Sequence, residues 1–167
     1  MRILRIIPIV LIISGLTITA GCGGEQSTLD EPDITVGYLA GEYANQLVRD
    51  GAKSLFGSIS IYEDEEGAIW IDLVEKEVVE DQTRPDGFYI AHKNLEGTYQ
   101  LSPEARATFI PGGSSEAETL DAYEFVERVF LDLDEYGSGN PEYAENKLYG
   151  IYVIGDQVEL LIAWYRP

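Results

Sequence analysis

The chain has 167 residues, with 30 Asp or Glu against 11 Lys or Arg, one His and one Cys. A net charge of −19 argues against a protein that tracks nucleic-acid phosphates or adsorbs to anionic lipid headgroups. One Cys rules out a disulfide framework or a Cys-based zinc site within the chain, and one His rules out a two-His metal site.

The N-terminus is an address. Arg2 and Arg5 form a short positive region, and an apolar run of about fifteen residues follows, interrupted by Pro8 and Ser14. That is shorter than the roughly 20 residues a spanning helix needs, and it ends in small residues. Without residues 1–21, 9 bases face 30 acids, a net charge of −21.

Thr19-Ala20-Gly21-Cys22 resembles a bacterial lipobox, in which small residues precede a Cys that becomes the lipid-modified first residue of the mature protein. Thr19 departs from the usual Leu of that signal. An ordinary secretory cut after Ala20 would leave Cys22 as a free thiol. The lipobox resemblance gives this lone Cys a use as the lipid attachment site, and several acyl chains, palmitate among them, hold a protein at a membrane where one chain holds it only marginally. Residues 1–21 are therefore expected to be a lipoprotein signal peptide. Residues 22–36, polar and rich in Gly, Ser and Pro, are expected to be a flexible tether. Residues 37–167 are expected to be one β-rich globular domain, exported and held at the outer face of the cell membrane.

Leu39, Tyr43, Leu47 (or Val48) and Leu55 recur at roughly helical spacing and predict an amphipathic helix over about 41–52, with Gly51 at its end. From Gly57 the period becomes two. Ile59 and Ile61 face one way, and Ile69, Ile71 and Leu73 do the same after an Asp64-Glu65-Glu66-Gly67 turn. This hairpin leaves Tyr62 and Trp70 on its outer face as neighbours. Val78-Val79 extends the second strand or opens another. Thr83-Arg84-Pro85-Asp86-Gly87 has turn chemistry. Short strands are expected over 88–91, 97–101 and 105–110, the last two separated at Ser102-Pro103, with a loop over 111–115.

Thr119 is the expected N-cap of a helix whose apolar side holds Leu120, Tyr123, Val126 (or Glu127) and Phe130. Residues 134–143 should be a loop. Strands over 148–154 and 158–165 close the chain around Gly155-Asp156-Gln157, and the last is apolar on both faces, as a central strand is. The fold class is α+β, either a small antiparallel sheet or an OB-like barrel, with one or two packed helices.

The segment Pro85-Asp86-Gly87-Phe88-Tyr89-Ile90-Ala91-His92-Lys93-Asn94-Leu95 resembles one found in small exported lipoproteins of Gram-positive bacteria. Those carry Pro-Asn-Gly-Tyr-Tyr-Ile after two strands, then a Tyr-x-Leu strand like Tyr99 and Leu101. A helix and a final hairpin follow, like Gly155-Asp156 and Tyr165-Arg166-Pro167. The resemblance spans about residues 57–167, with Asp86 and Phe88 departing from Asn and Tyr. The family has no assigned activity, so the resemblance implies fold and location and transfers no catalytic residue.

Chemistry is sparse. Asp132 and Asp134, with Gly137 at position 6, have part of an EF-hand spacing. Positions 5 and 12 are Tyr136 and Tyr143, so the bidentate Glu is missing and the plainer reading is an acidic helix end. No metal site is expected, with Asp132 and Asp134 as weak candidates. Weak cation association is expected over 116–145, which holds ten acids and only Arg128. His92 has no Cys partner and no Gly-x-Ser-x-Gly elbow, and is expected to cap a strand. Thirty acids always offer a carboxylate pair, so none is singled out for glycoside hydrolysis. No P-loop, dinucleotide fingerprint or HExxH is present, and no cofactor is expected. The aromatics are the remaining feature. Tyr62, Trp70, Tyr89 and Tyr99 fall in strands and are the candidate platform for a ligand. The expectation is a non-enzymatic binding module for a glycan, peptide or protein, with membrane attachment through lipid and no nucleic-acid partner. The alternatives are a carboxylate-dependent hydrolase and a cation-associated structural envelope protein.

Overall fold

The computed structural model describes residues 33–140 and 142–164. They form a mixed α+β unit, a six-stranded and mostly antiparallel sheet with helices packed on it. Helix α1 runs over 36–49, an α turn at Val36–Tyr38, a π turn at Leu39–Tyr43 and an α segment at Ala44–Arg49. The strands are β1 Lys53–Glu63, β2 Ile69–Glu80, β3 Phe88–Phe109, β4 Glu118–Asp121, β5 Leu148–Ile154 and β6 Gln157–Trp164. Helix α2, Ala122–Asp132, continues into a π turn at Leu133–Gly137, and the short α3 is Glu142–Asn146. Cys22, the expected lipid-attachment residue, and most of the expected tether lie outside the described residues.

Helix α1 starts earlier than its apolar spacing suggests, because Thr35 caps it by accepting from the Tyr38 amide. The π turn brings Leu39 and Ala44, five residues apart, to the face that also carries Leu47, and all three bury against Leu160 of β6 with Ala52. Gly51, at a φ of 97°, ends the helix as the Ala52 amide reaches back to the Leu47 carbonyl at 2.8 Å.

Gly67, at a φ of 84°, closes the β1–β2 turn. Strand β1 pairs with β2 from Gly57 to Glu63 and with β5 from Lys53 to Ser58. Strand β3 leaves β2 and crosses to β6, which it joins in parallel, while β6 pairs antiparallel with β5. The ladders therefore follow a closed circuit, β1–β2–β3–β6–β5–β1, with β4 paired only to β3. Inside it lie Ile71, Leu73, Leu101, Phe109, Tyr149, Ile151, Val153, Val158 and Leu161. Helix α2 seals this core with Phe125, edge-on to Phe109 at 6.2 Å and to Tyr149 at 5.7 Å.

Four expectations are corrected. The expected loop over 134–143 is taken up at its ends by the π turn to Gly137 and by α3 from Glu142. The separate strands over 88–91, 97–101 and 105–110 are one 22-residue strand. Ser102-Pro103 falls where its register against β6 shifts between Leu101 and Arg106, so the missing proline N–H interrupts the ladder without ending the strand. Thr119 is not the helix cap: residues 118–121 pair with β3, and Asp121 caps α2 in a reciprocal capping box with Glu124. The helix is also rotated from the expected side. Ala122 and Phe125 are buried with Val126 and Val129 against them, while Tyr123 and Phe130 point outward.

Candidate functional site

Past residue 74 the β2–β3 hairpin is an arm that folds back over the body. Its alternation breaks there. Val74 pairs with Glu96 and Lys76 with His92, so residues 93–95 bulge opposite Glu75, with Asn94 at a φ of 56°. Before the bulge the inward residues of β2 are Ile71 and Leu73; after it, Lys76 is the buried one. Cross-strand partners share a face, so Lys76–His92, Val78–Ile90 and Glu80–Phe88 put His92, Ile90 and Phe88 beside Lys76.

Two contacts pin the arm. The Phe88 ring meets Trp164 edge-on at 5.7 Å, and Trp164 meets Phe56 at 5.6 Å. The Lys76 ammonium donates to the Glu145 carbonyl of α3 at 2.7 Å. Burial pushes the Lys76 pKa down, opposed by the charge of Glu145. Between the pins lies a groove of about 910 Å³. Its walls carry Phe88, Tyr89, Ile90 and Trp164, with Lys76, Arg84, His92, Asp86, Glu145 and Asn146. The Arg84 guanidinium lies over the Tyr89 ring, 5.8 Å from its centroid, and pairs with Asp81 at 3.7 Å. Charges of both signs line this groove in nearly equal number, unlike the chain as a whole.

The four candidate platform aromatics do not form one surface. Tyr62 and Trp70 are direct register partners on β1 and β2. Trp70 is half-buried, and its indole N–H donates to Asp64 at 2.7 Å. That bond is the main reason the Asp64 pKa is lowered. Tyr99 pairs with buried Ile71, packs against the core and covers Gly97 with its ring. Tyr89 pairs with Val79, nine residues along β2 from Trp70, about 30 Å along the strand. Of the four, only Tyr89 lines the groove. His92, expected as a strand cap, sits within β3 on the groove wall. The sequence marks Trp164 only as part of an apolar face of the last strand, and does not mark Lys76. The readable signal for Lys76 was the loss of alternation at Val74-Glu75-Lys76.

Asp132 and Asp134 occupy different environments. Asp134 is exposed in the π turn. Asp132 is buried and accepts from the Gly112 amide at 2.6 Å and the Tyr143 hydroxyl at 2.8 Å, and it forms an ion pair with Lys147 at 2.5 Å. Burial first, and the bond to Asp132 second, push the Tyr143 pKa well up. This network lines a smaller pocket of about 330 Å³ with Ile110 and Pro111. Among the described residues no cluster of three His, Cys, Asp or Glu is arranged to hold a metal ion, and no helix is long and apolar enough to cross a membrane.

No protein-family model matches the chain, and no curated protein or solved structure matches it at a significant level.

Proposed function

We propose that the protein is an exported, lipid-anchored binding module, attached to the membrane through Cys22, that holds a ligand in the groove beneath the β2–β3 arm. The observation that carries this reading is the lining of the groove. Aromatic side chains stand there beside donors and acceptors, and the charges nearly cancel. A concave site with a few oriented polar groups on an apolar wall is the usual form of a ligand pocket. Such a wall favours a neutral, polyhydroxylated ligand, a glycan, whose ring faces pack on the aromatic wall of Phe88 and Trp164 and whose hydroxyls bond to His92 and Asn146 beside Lys76. A strongly anionic ligand would meet Asp86, Glu145 and the field of the whole chain. The closed circuit of ladders, with its parallel β3–β6 pair, supports the OB-like alternative, a fold class whose surfaces bind oligosaccharides elsewhere.

For a carboxylate-dependent hydrolase, Asp64 and Asp81 are poor candidates for a general acid, because hydrogen bonds in their turns lower both pKa values where that role needs a raised one.

The test is a titration of the protein with neutral oligosaccharides (cellohexaose, chitohexaose and maltohexaose) and with polygalacturonate, followed by tryptophan fluorescence. A saturable change with a neutral sugar is expected from Trp164, lost in His92→Ala and Asn146→Ala. The Cys22→Ser variant should leave the membrane fraction and bind equally well. No response to any of the neutral sugars sinks the groove reading, and unchanged membrane association of Cys22→Ser sinks the anchor.

A further inference from the structure

Helix α2 has two faces that both carry large apolar side chains. Phe125 is fully buried, with Val126 and Val129 packed beside it. On the opposite side Tyr123 is 74% exposed, Phe130 49% and Leu131 57%. At 100° per residue Tyr123, Phe130 and Leu131 fall within one stripe about 100° wide, with Glu127 inside it. Asp134 follows in the π turn, and Glu124 and Glu135 stand at the rim. The one cation of the helix, Arg128, is paired with Glu118 at 3.4 Å.

We propose that the outer face of α2 is a docking surface for a basic amphipathic helix of a partner protein. Three apolar side chains exposed at helical spacing match the anchors by which a helix seats on another surface. Their order along the stripe, apolar, acid, apolar, apolar, acid, is complemented by a helix that carries Leu or Phe with Lys or Arg at the same period. A second copy of this chain fits badly, because it would bring the acids of the two stripes together at the centre of the contact. An anionic membrane surface fits badly for the same reason. The groove under the β2–β3 arm is lined by none of the α2 residues, so this surface stands or falls separately from the ligand reading.

The protein is titrated with an 18-residue Lys/Leu peptide of helical period and with its Glu/Leu counterpart, by calorimetry at physiological ionic strength. The Lys/Leu peptide should bind saturably, one per chain, and the Glu/Leu peptide not at all. Tyr123→Ser/Phe130→Ser/Leu131→Ser should weaken binding at least tenfold with the circular dichroism spectrum unchanged, since about half or more of each side chain already faces water. Glu127→Lys keeps the apolar anchors, is the check should the triple variant misfold, and should weaken binding about as much. Equal binding by the wild type and both variants would reduce the effect to bulk charge and overturn the proposal. So would dimerisation in sedimentation that the same substitutions abolish, or binding to phosphatidylcholine vesicles lost in the triple variant.

Discussion

Asp132 illustrates how one carboxylate can suggest chemistry in sequence and do structural work in the fold. Three donors converge on it, from the 111–115 loop, the 142–146 helix and Lys147. Lys147 in turn donates to the Ile110 carbonyl at 2.9 Å and lies over the Phe109 ring, 4.4 Å from its centroid. The carboxylate thus ties the end of α2 to the loop and to the segment entering β5. Removing it would leave an amide and a hydroxyl short of a partner and a lysine without its counter-charge. Asp132→Ala is therefore expected to destabilise the fold by about 3–5 kcal/mol, the range for breaking a buried pair. Urea unfolding would measure it, and a loss below about 1 kcal/mol would mean that water replaces the carboxylate. Asp134→Ala, on an exposed residue, should fall within about 0.5 kcal/mol of the wild type.

At the scale of elements, what was legible depended on whether a signal was local. The first hairpin, its Gly67 turn, and the 148–154 strand could be read because period-two runs and turn glycines act within a few residues. The side of α2 that would be buried could not. Tyr123 and Phe130 on one face and Phe125, Val126 and Val129 on the other give two apolar stripes, and only the position of Phe109 and Tyr149 decides between them. The groove was hidden for a related reason. It depends on the bulge that turns Lys76 inward and on Trp164, more than seventy residues away from Phe88 in the chain. At Gly57 backbone meets backbone closely. There β1 pairs with Glu75 on one side and Tyr149 on the other, and a Cβ would overlap the Val74 carbonyl oxygen and come within 2.8 Å of Leu73. Such a contact cannot be relieved by a rotamer change. Gly57→Ala should cost about 1–3 kcal/mol, as overpacking does, although Ala is less costly than Gly to order in a strand. Gly150→Ala, whose nearest neighbours stand at 3.9 Å, is the control that should cost far less. Equal losses in thermal melts of the two variants would remove close approach as the explanation.

Over the whole molecule the dominant quantity is unbalanced charge. Among the described residues four ion pairs form, and three of them are at the surface, where each contributes about 0–1 kcal/mol. Most of the thirty acids therefore repel one another across a fold of modest size. Compact states with such self-repulsion are stabilised by screening, because the Debye length falls from about 30 Å at 0.01 M salt to about 10 Å at 0.1 M. The melting temperature should accordingly rise between about 0.01 and 0.5 M NaCl, by about 2–4 °C for each kcal/mol of repulsion removed. The identity of the cation then separates two origins of the effect. Screening depends on ionic strength alone, so CaCl₂ at matched ionic strength should act like NaCl. The ten acids over 116–145 would hold Ca²⁺ specifically only if several faced one point, yet Asp132 is turned inward to Lys147 and Asp134 outward to solvent. A melting temperature markedly higher in CaCl₂, saturating at submillimolar concentration, would show that the acidic segment binds the ion and would restore the cation-associated envelope role. A melting temperature indifferent to either salt would mean that the acids are spaced widely enough for water alone to screen them.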